Sequence, residues 1–462
     1  MIEILEHSSA PESVERAVSR SHALADLGNR RRVPVVLMAA VVAVTMAYSL
    51  SWGPLVRHVS AWIAPGDIWG TLRTAQFIGW GDIGDVFGHG TGLVTLPGIS
   101  VVLTPVALLV SNLHLSMSFP YGLPHPTGWL VLGPYEAAIG AVVLIPLDAL
   151  AEQLGLERQR RVLLSIVEAV LLWPVVGIWG HPEDPLALAF VLWGLLAVVK
   201  GRWRSAGWLV GLALAIQPLV VLMVPVLVAL VPVREWPKLA LRCTLPAAAL
   251  LAIPLEQSWR ATTEALFKQP NFPTVDHATP WLALAPVLSP AQPATTKRFF
   301  FTTLPNGSPT VTGFTVHTTA GPVVAAGPGR LIAIAFALLI GVYVFRRRPG
   351  PSQVVWQCAV ALGLRCVFES VMDPFYLWPP LAIAFVLAAR SYPRLGVAIA
   401  AGTLITWWSY RFLGPWEWWT PIVILLAVIL ASAAPSRSEA GAADKRQLEE
   451  CPVDPPPERV HA

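Results

Sequence analysis

Long uncharged apolar runs alternate with short segments in which Arg, Asp, Pro and Gly gather, and the alternation continues from residue 33 to residue 434. A span of the hydrocarbon layer needs about 20 apolar residues in helical form, fewer where the helix is short or broken. The runs at 33–56, 129–150, 162–180, 185–199, 239–255, 331–345, 354–371, 375–389, 395–410 and 418–434 read as passes. Segment 207–232 is interrupted by Gln217-Pro218 and Pro225, and reads as two short broken passes. Basic clusters at Arg30–Arg32, Arg158/Arg160/Arg161, Lys200/Arg202/Arg204, Arg234/Lys238/Arg242, Arg346–Arg348 and Arg390/Arg394 set the orientation, because cytoplasmic loops collect Lys and Arg. Placing all of them on one side requires that 92–112, broken by Pro97, Gly98 and Pro105, does not cross and instead forms a juxtamembrane or re-entrant helix.

The expected architecture is an all-α polytopic membrane protein of about twelve crossings with both ends inside. A cytoplasmic segment 1–32 precedes a single transmembrane domain, 33–434, and a charge- and Pro-rich tail, 435–462, reads as disordered. Two long extracytoplasmic loops, 53–127 and 256–327, hold most of the water-facing chain. Composition agrees: 55% of residues are hydrophobic, 13% are charged, and mean hydropathy is +0.60. Soluble-enzyme, collagen, coiled-coil and disordered classes are excluded. The net charge of +4 follows the topology and carries no nucleic-acid signal. The four cysteines, Cys243, Cys358, Cys366 and Cys451, lack metal-binding spacing, and the first three read as small packing residues. Neither GxxxxGK[ST] nor GxGxxG occurs, so nucleotide hydrolysis is unsupported.

Titratable residues gather at the outer ends of the passes. Ala64-Pro65-Gly66-Asp67 precedes Ile68, Leu72 and Ala75, which share one face of an interfacial helix. Asp67 reads either as the helix cap or as a surface carboxylate able to deprotonate an acceptor hydroxyl, and one residue can do both. Asp82 and Asp85 read as turn residues. In the turn Gly180-His181-Pro182-Glu183-Asp184-Pro185, Asp184 suits a helix cap, and the three titratable groups together suit contact with a substrate. Arg365 and Glu369, spaced i, i+4 in an apolar stretch, form either a structural ion pair or a phosphate-binding site built on Arg365. The second outer loop adds Asp276 and His277.

In this order the segments resemble the GT-C membrane glycosyltransferases, and within them the bacterial mannosyltransferases that use a polyprenyl-phosphate-mannose donor. The resemblance runs through Asp67 after the first pass, Thr95-Leu96-Pro97-Gly98 and Leu103-Thr104-Pro105, and the turn Gly180-His181-Pro182-Glu183-Asp184. It continues through Ala215-Ile216-Gln217-Pro218, Arg365 and Phe375-Tyr376-Leu377-Trp378-Pro379, covering most of 33–390. Three positions depart from the pattern: Gln217 stands where the family has Lys, Asp373 stands in place of a late His, and Ile68-Trp69-Gly70 follows Asp67.

The resemblance implies a GT-C fold in a bacterial plasma membrane. It implies inverting transfer of a sugar, mannose first among them, from a polyprenyl-phosphate donor to a lipid-linked or envelope-glycan acceptor at the outer face. Asp67 would be the general base, and Arg365 would steady the leaving phosphate. His181, Glu183, Asp184, Gln217, Glu369, Asp373 and Tyr376 would line the substrate site, with no metal, no other cofactor and no nucleic-acid partner. The reading from another class is a lipid or solute transporter, or a catalytically inactive structural membrane protein. A transporter would place ionisable groups at mid-helix in several passes.

Overall fold

The computed structural model describes residues 31–52, 65, 68–88, 93, 95–115, 127–303 and 309–435. Asp67, most of the first outer loop, the N-terminal segment up to residue 30 and the tail from residue 436 lie outside the described residues, and so does the general-base assignment. The described chain is mostly helical. Six helices within it are long and apolar enough to cross a membrane: Arg32–Ser51, Trp129–Gln153, Arg158–Trp179, Val233–Gln257, Gly329–Arg347 and Pro415–Ala433.

The helices used below are α1 (Arg32–Trp52), α2 (Ile68–Trp80), α3 (Gly98–Asn112), α4 (Trp129–Ala141), α5 (Leu144–Gln153), α6 (Arg158–Pro174), α7 (Glu183–Val199) and α8 (Trp203–Ile216). They continue as α9 (Val224–Ala229), α10 (Trp236–Gln257), α11 (Gly329–Arg347), α12 (Pro351–Phe368), α13 (Trp378–Ala388), α14 (Tyr392–Ser409) and α15 (Pro415–Ala433). α2 buries Ile68, Leu72 and Ala75 against α3, the face expected from their spacing. α3 is only 15 residues long and carries Pro105 inside it. The break expected near Gln217 is present: Gln217 is extended (φ −141°, ψ 104°) between α8 and a 3₁₀ turn at Pro218–Met223. Pro218 lacks an amide hydrogen and disfavours helix at the residue before it, so the chain changes direction there.

Residues 256–327, expected as a loop, add β-strands to this mostly helical chain. β3 (Gln292–Thr303) and β4 (Pro309–Ala320) pair as an antiparallel hairpin. Two short ladders flank it. β1 (His277–Ala278) pairs with β6 (Val371–Met372), and β2 (Val287–Ser289) pairs with β5 (Val323–Val324). The Thr- and Phe-rich composition of 292–320 favours extended backbone, a preference that a search for apolar helices passes over.

One end of the bundle is held by charges from distant positions. Arg31 and Arg161 converge on Asp148 and Glu152, and Arg161 Nη2 lies 2.7 Å from Asp148 Oδ2. Arg160 donates to the Arg390 carbonyl. Three of the six basic clusters grouped from the sequence, those of Arg31, Arg160/Arg161 and Arg390, are therefore neighbours in space. α6 begins at this end, and with its π-helical turn Val175–Trp179 it runs 22 residues, about 33 Å, before reaching His181. The polar turn at 180–184 thus sits at the opposite end. Cys243, Cys358 and Cys366 are buried with free thiols, as packing residues.

Candidate functional site

Gly180 shapes the turn. It adopts φ +73°, and a Cβ there would lie 2.5 Å from Pro65 Cβ and 3.3 Å from Ile68 Cβ. Glycine alone tolerates both the left-handed backbone and the close approach. The residues on either side of Asp67 in sequence are thereby packed onto the turn that carries His181. His181 stacks on Phe375 with ring centroids 3.6 Å apart, and its Nδ1 lies 2.5 Å from Glu183 Oε1. α7 begins at Glu183 with Pro182 as its cap residue and no capping side-chain bond, so Asp184 lies inside the first turn and is not the cap. A carboxylate there still faces the positive end of the helix. Asp184 is 3% exposed, and its Oδ1 accepts a 3.1 Å hydrogen bond from Gln217 Nε2.

Arg365 and Glu369 form the expected pair, with Nε 3.2 Å from Oε2, but not on one helical face. α12 ends at Phe368, and Glu369 is extended. That extended geometry frees its second oxygen for Arg330, whose Nε lies 2.7 Å away. Arg330 also donates to Gln269 Oε1. The approach depends on Gly329: a Cβ at that position would fall 1.7 Å from the Phe368 carbonyl oxygen. Two guanidiniums thus share one buried carboxylate. Arg365 lies over the Tyr376 ring, 3.1 Å from its centroid, and its Nη1 is buried without a hydrogen-bond partner.

Residues 277–281 are bound to the same region. The β1–β6 ladder pairs His277 with Met372. Thr279 Oγ1 donates to the Glu369 carbonyl at 2.5 Å, and Trp281 Nε1 donates to the Val367 carbonyl at 2.7 Å. His277 stacks on Trp418 at 4.4 Å; burial holds its imidazole down, to a pKa of about 4. Asp373 shares side-chain hydrogen bonds with Asp276 and Tyr376, and burial raises its carboxyl above the usual range.

A cavity of about 460 Å³ opens beside these groups. Its polar lining includes His181, Glu183, Gln217, Arg330, Arg365 and Glu369, together with Tyr376. Its apolar lining includes Leu219, Val221, Leu222, Leu266, Ala333 and Ile334. Of the residues singled out from sequence, His181, Glu183, Gln217, Arg365, Glu369 and Tyr376 line this space directly. Asp184 lines a smaller adjoining cavity of about 20 Å³, with Gln217, Arg365 and Tyr376. Asp373 sits behind Tyr376.

Sequence reasoning missed Arg330, Gln269, the pairing of Asp276 with Asp373, and Glu136. The visible signal for Arg330 was a charge placed directly before an apolar run, and for Glu136 a lone carboxylate inside one. Ionisable groups are also not confined to the outer ends. Glu136 and Glu168 are fully buried inside the spans Trp129–Gln153 and Arg158–Trp179, and all four of their carboxylate oxygens lack partners. No protein-family model, no curated protein and no solved structure matches this chain.

Proposed function

We propose that the protein is an integral-membrane glycosyltransferase with a GT-C-like arrangement of about twelve crossings. It transfers a sugar, mannose first among the candidates, from a polyprenyl-phosphate donor to a glycolipid or envelope-glycan acceptor at the extracytoplasmic face of a bacterial plasma membrane. The observation that carries this reading is the two-sided cavity. Arg330 and Arg365 supply two positive charges against the single negative charge of Glu369, and Arg365 Nη1 is left without a partner. A phosphate needs fixed cations of this kind, and guanidinium suits it best. The remaining wall, Leu219, Val221, Leu222, Ala333 and Ile334, suits a hydrocarbon tail.

On this reading the sugar is attacked by an acceptor hydroxyl whose proton passes to Asp67, while charge builds on the departing phosphate. A positioned carboxylate contributes roughly 10²–10⁴-fold to such a step, and cationic donors at the leaving oxygen stabilise the transition state by a comparable amount. In sequence Asp67 falls between Pro65 and Ile68, and those two residues pack against Gly180, next to His181 in the chain. The test is reconstitution of the purified protein with polyprenyl-phosphate sugars and an envelope-lipid extract. Sugar incorporation lost in Asp67→Asn and Arg365→Met, in protein that still inserts and folds, supports transfer. Unchanged incorporation in both overturns it.

A transporter is the second reading, favoured by Glu136 and Glu168 at buried positions inside two spans. Its signature is lipid or solute movement across the vesicle bilayer, abolished in Glu168→Gln, without any change in the glycan.

A further inference from the structure

The strongest unassigned feature is a group of acids on the cavity wall with too little positive charge beside it. One ligand atom from each of His181, Glu183 and Asp184 can be chosen so that all three lie within 4.8 Å of one another. Donors bound to one ion at 2.0–2.6 Å are separated by up to about 5 Å, so small side-chain adjustments would bring all three onto a common centre. Glu183 and Asp184 are 8% and 3% exposed.

A second observation comes from another helix. Glu136 on α4 is 0% exposed, neither of its carboxylate oxygens has a partner, and the charges of Glu183 and His181 act directly on it. Asp184 Oδ2 is likewise buried and unpartnered. α4 packs against the start of α7 here: a Cβ on Gly140, one turn beyond Glu136, would lie 3.5 Å from Pro185 Cγ and 3.7 Å from Pro182 Cα. The polar neighbours of the three carboxylates supply little compensating charge. Gln217 is neutral and satisfies only Asp184 Oδ1. Arg365 lies close enough for its charge to act on Asp184 but forms no ion pair with it within 4.0 Å; its Nε is paired with Glu369 and its face lies over Tyr376. Buried carboxylates with open lone pairs and too few counter-charges form a site for a cation. The cavity of about 20 Å³ beside Asp184 is large enough for a water-sized species.

We propose that His181, Glu183 and Asp184, backed by Glu136, bind one divalent cation of the Mn²⁺ or Mg²⁺ class on the cavity wall. Carboxylate oxygens with a single imidazole match a hard or borderline ion. The coordination positions that the protein does not fill face the cavity, where an anionic ligand or water completes the shell. This departs from the metal-free chemistry that the family resemblance implies. Where it touches phosphate, it rests on the function proposed above; the cation site itself does not.

The test is titration of the purified full-length protein in detergent with Mn²⁺ alone, following the loss of the free-ion EPR signal, with no sugar donor present. One Mn²⁺ per chain is expected. Glu183→Gln and Asp184→Asn weaken binding at least tenfold, and Glu136→Gln weakens it by at least threefold. Size-exclusion profiles report folding, and His181→Ala, at a partly exposed position, serves where an acid variant does not fold. Absence of stoichiometric Mn²⁺, or equal binding by wild type and every folded variant, overturns the proposal. Stoichiometric Mn²⁺ without sugar transfer supports the site while overturning the transferase reading. Sugar transfer that persists in EDTA, in protein that binds no Mn²⁺, does the reverse.

Discussion

Arg330 and Arg365 meet on the two oxygens of a single carboxylate, Glu369, at 2.7 Å and 3.2 Å. Glu369 is 1% exposed and Arg365 is buried, while Arg330 reaches the same carboxylate from a partly exposed position, so the trio carries net positive charge around a buried anion. Removing its negative member leaves the buried Arg365 guanidinium without its ion-pair partner and takes one of two partners from Arg330. Glu369→Gln is expected to lower thermal stability by roughly 3–5 kcal/mol equivalent, measured as a loss of melting temperature in detergent. A melting point unchanged from wild type would show that the trio is not coupled.

On the proposed reading as a transferase, the two arginines have separable roles. Arg365 is buried and has an unpartnered Nη1, whereas Arg330 is partly exposed and already donates to Gln269. Arg365→Met is expected to reduce kcat on the order of 10²–10³-fold, the scale seen when a donor to developing charge is removed. Arg330→Met should act mainly on donor KM, by roughly tenfold. Steady-state kinetics with a polyprenyl-phosphate sugar distinguish the two.

His277 makes stability depend on acid. Its folded pKa of about 4 lies below the ordinary value of 6.5, because the ring is buried against Trp418 and Phe412. The neutral ring is the folded form, so this contribution is fully present above pH 6.5 and is lost as pH falls through about 4. The shift corresponds to about 3 kcal/mol. Melting curves at pH 7.5, 5.5 and 4.5 should fall in that order, and His277→Phe should flatten the series.

Asp373 works in the opposite sense. Burial raises its carboxyl, and Asp276 and Tyr376 share hydrogen bonds with it. A raised acid stabilises the fold in its protonated form, so this contribution is present below the unfolded value and is lost as pH rises through the folded one. Asp373→Asn, which cannot ionise, is expected to reduce the loss of melting temperature as pH is raised from below the ordinary carboxylate range. A larger loss over the same rise in Asp373→Asn than in wild type would refute the assignment.

Several of these groups could be picked out one by one but not assembled. The polar turn at 180–184 and the pair Arg365 and Glu369 stand out because charge is costly in an apolar run. The helical break at Gln217 is visible because Pro218 follows it. Arg330 was invisible as a site residue because its partner, Glu369, is reached only through the close approach of Gly329 to Phe368. The hairpin of β3 and β4 does not follow from apolar helical periodicity, because 292–320 carries its signal in Thr and Phe, which favour extended backbone.

Hydropathy along the chain determined that this is a mostly helical membrane protein, and the placement of its arginines grouped three basic segments, those of Arg31, Arg160/Arg161 and Arg390, that lie together in space. Both follow from solvation, a cost that each segment bears by itself. Which carboxylate meets which cation was decided only in three dimensions. Helix ends far apart in sequence converge, and the energy of a buried charge depends on neighbours that no local pattern encodes.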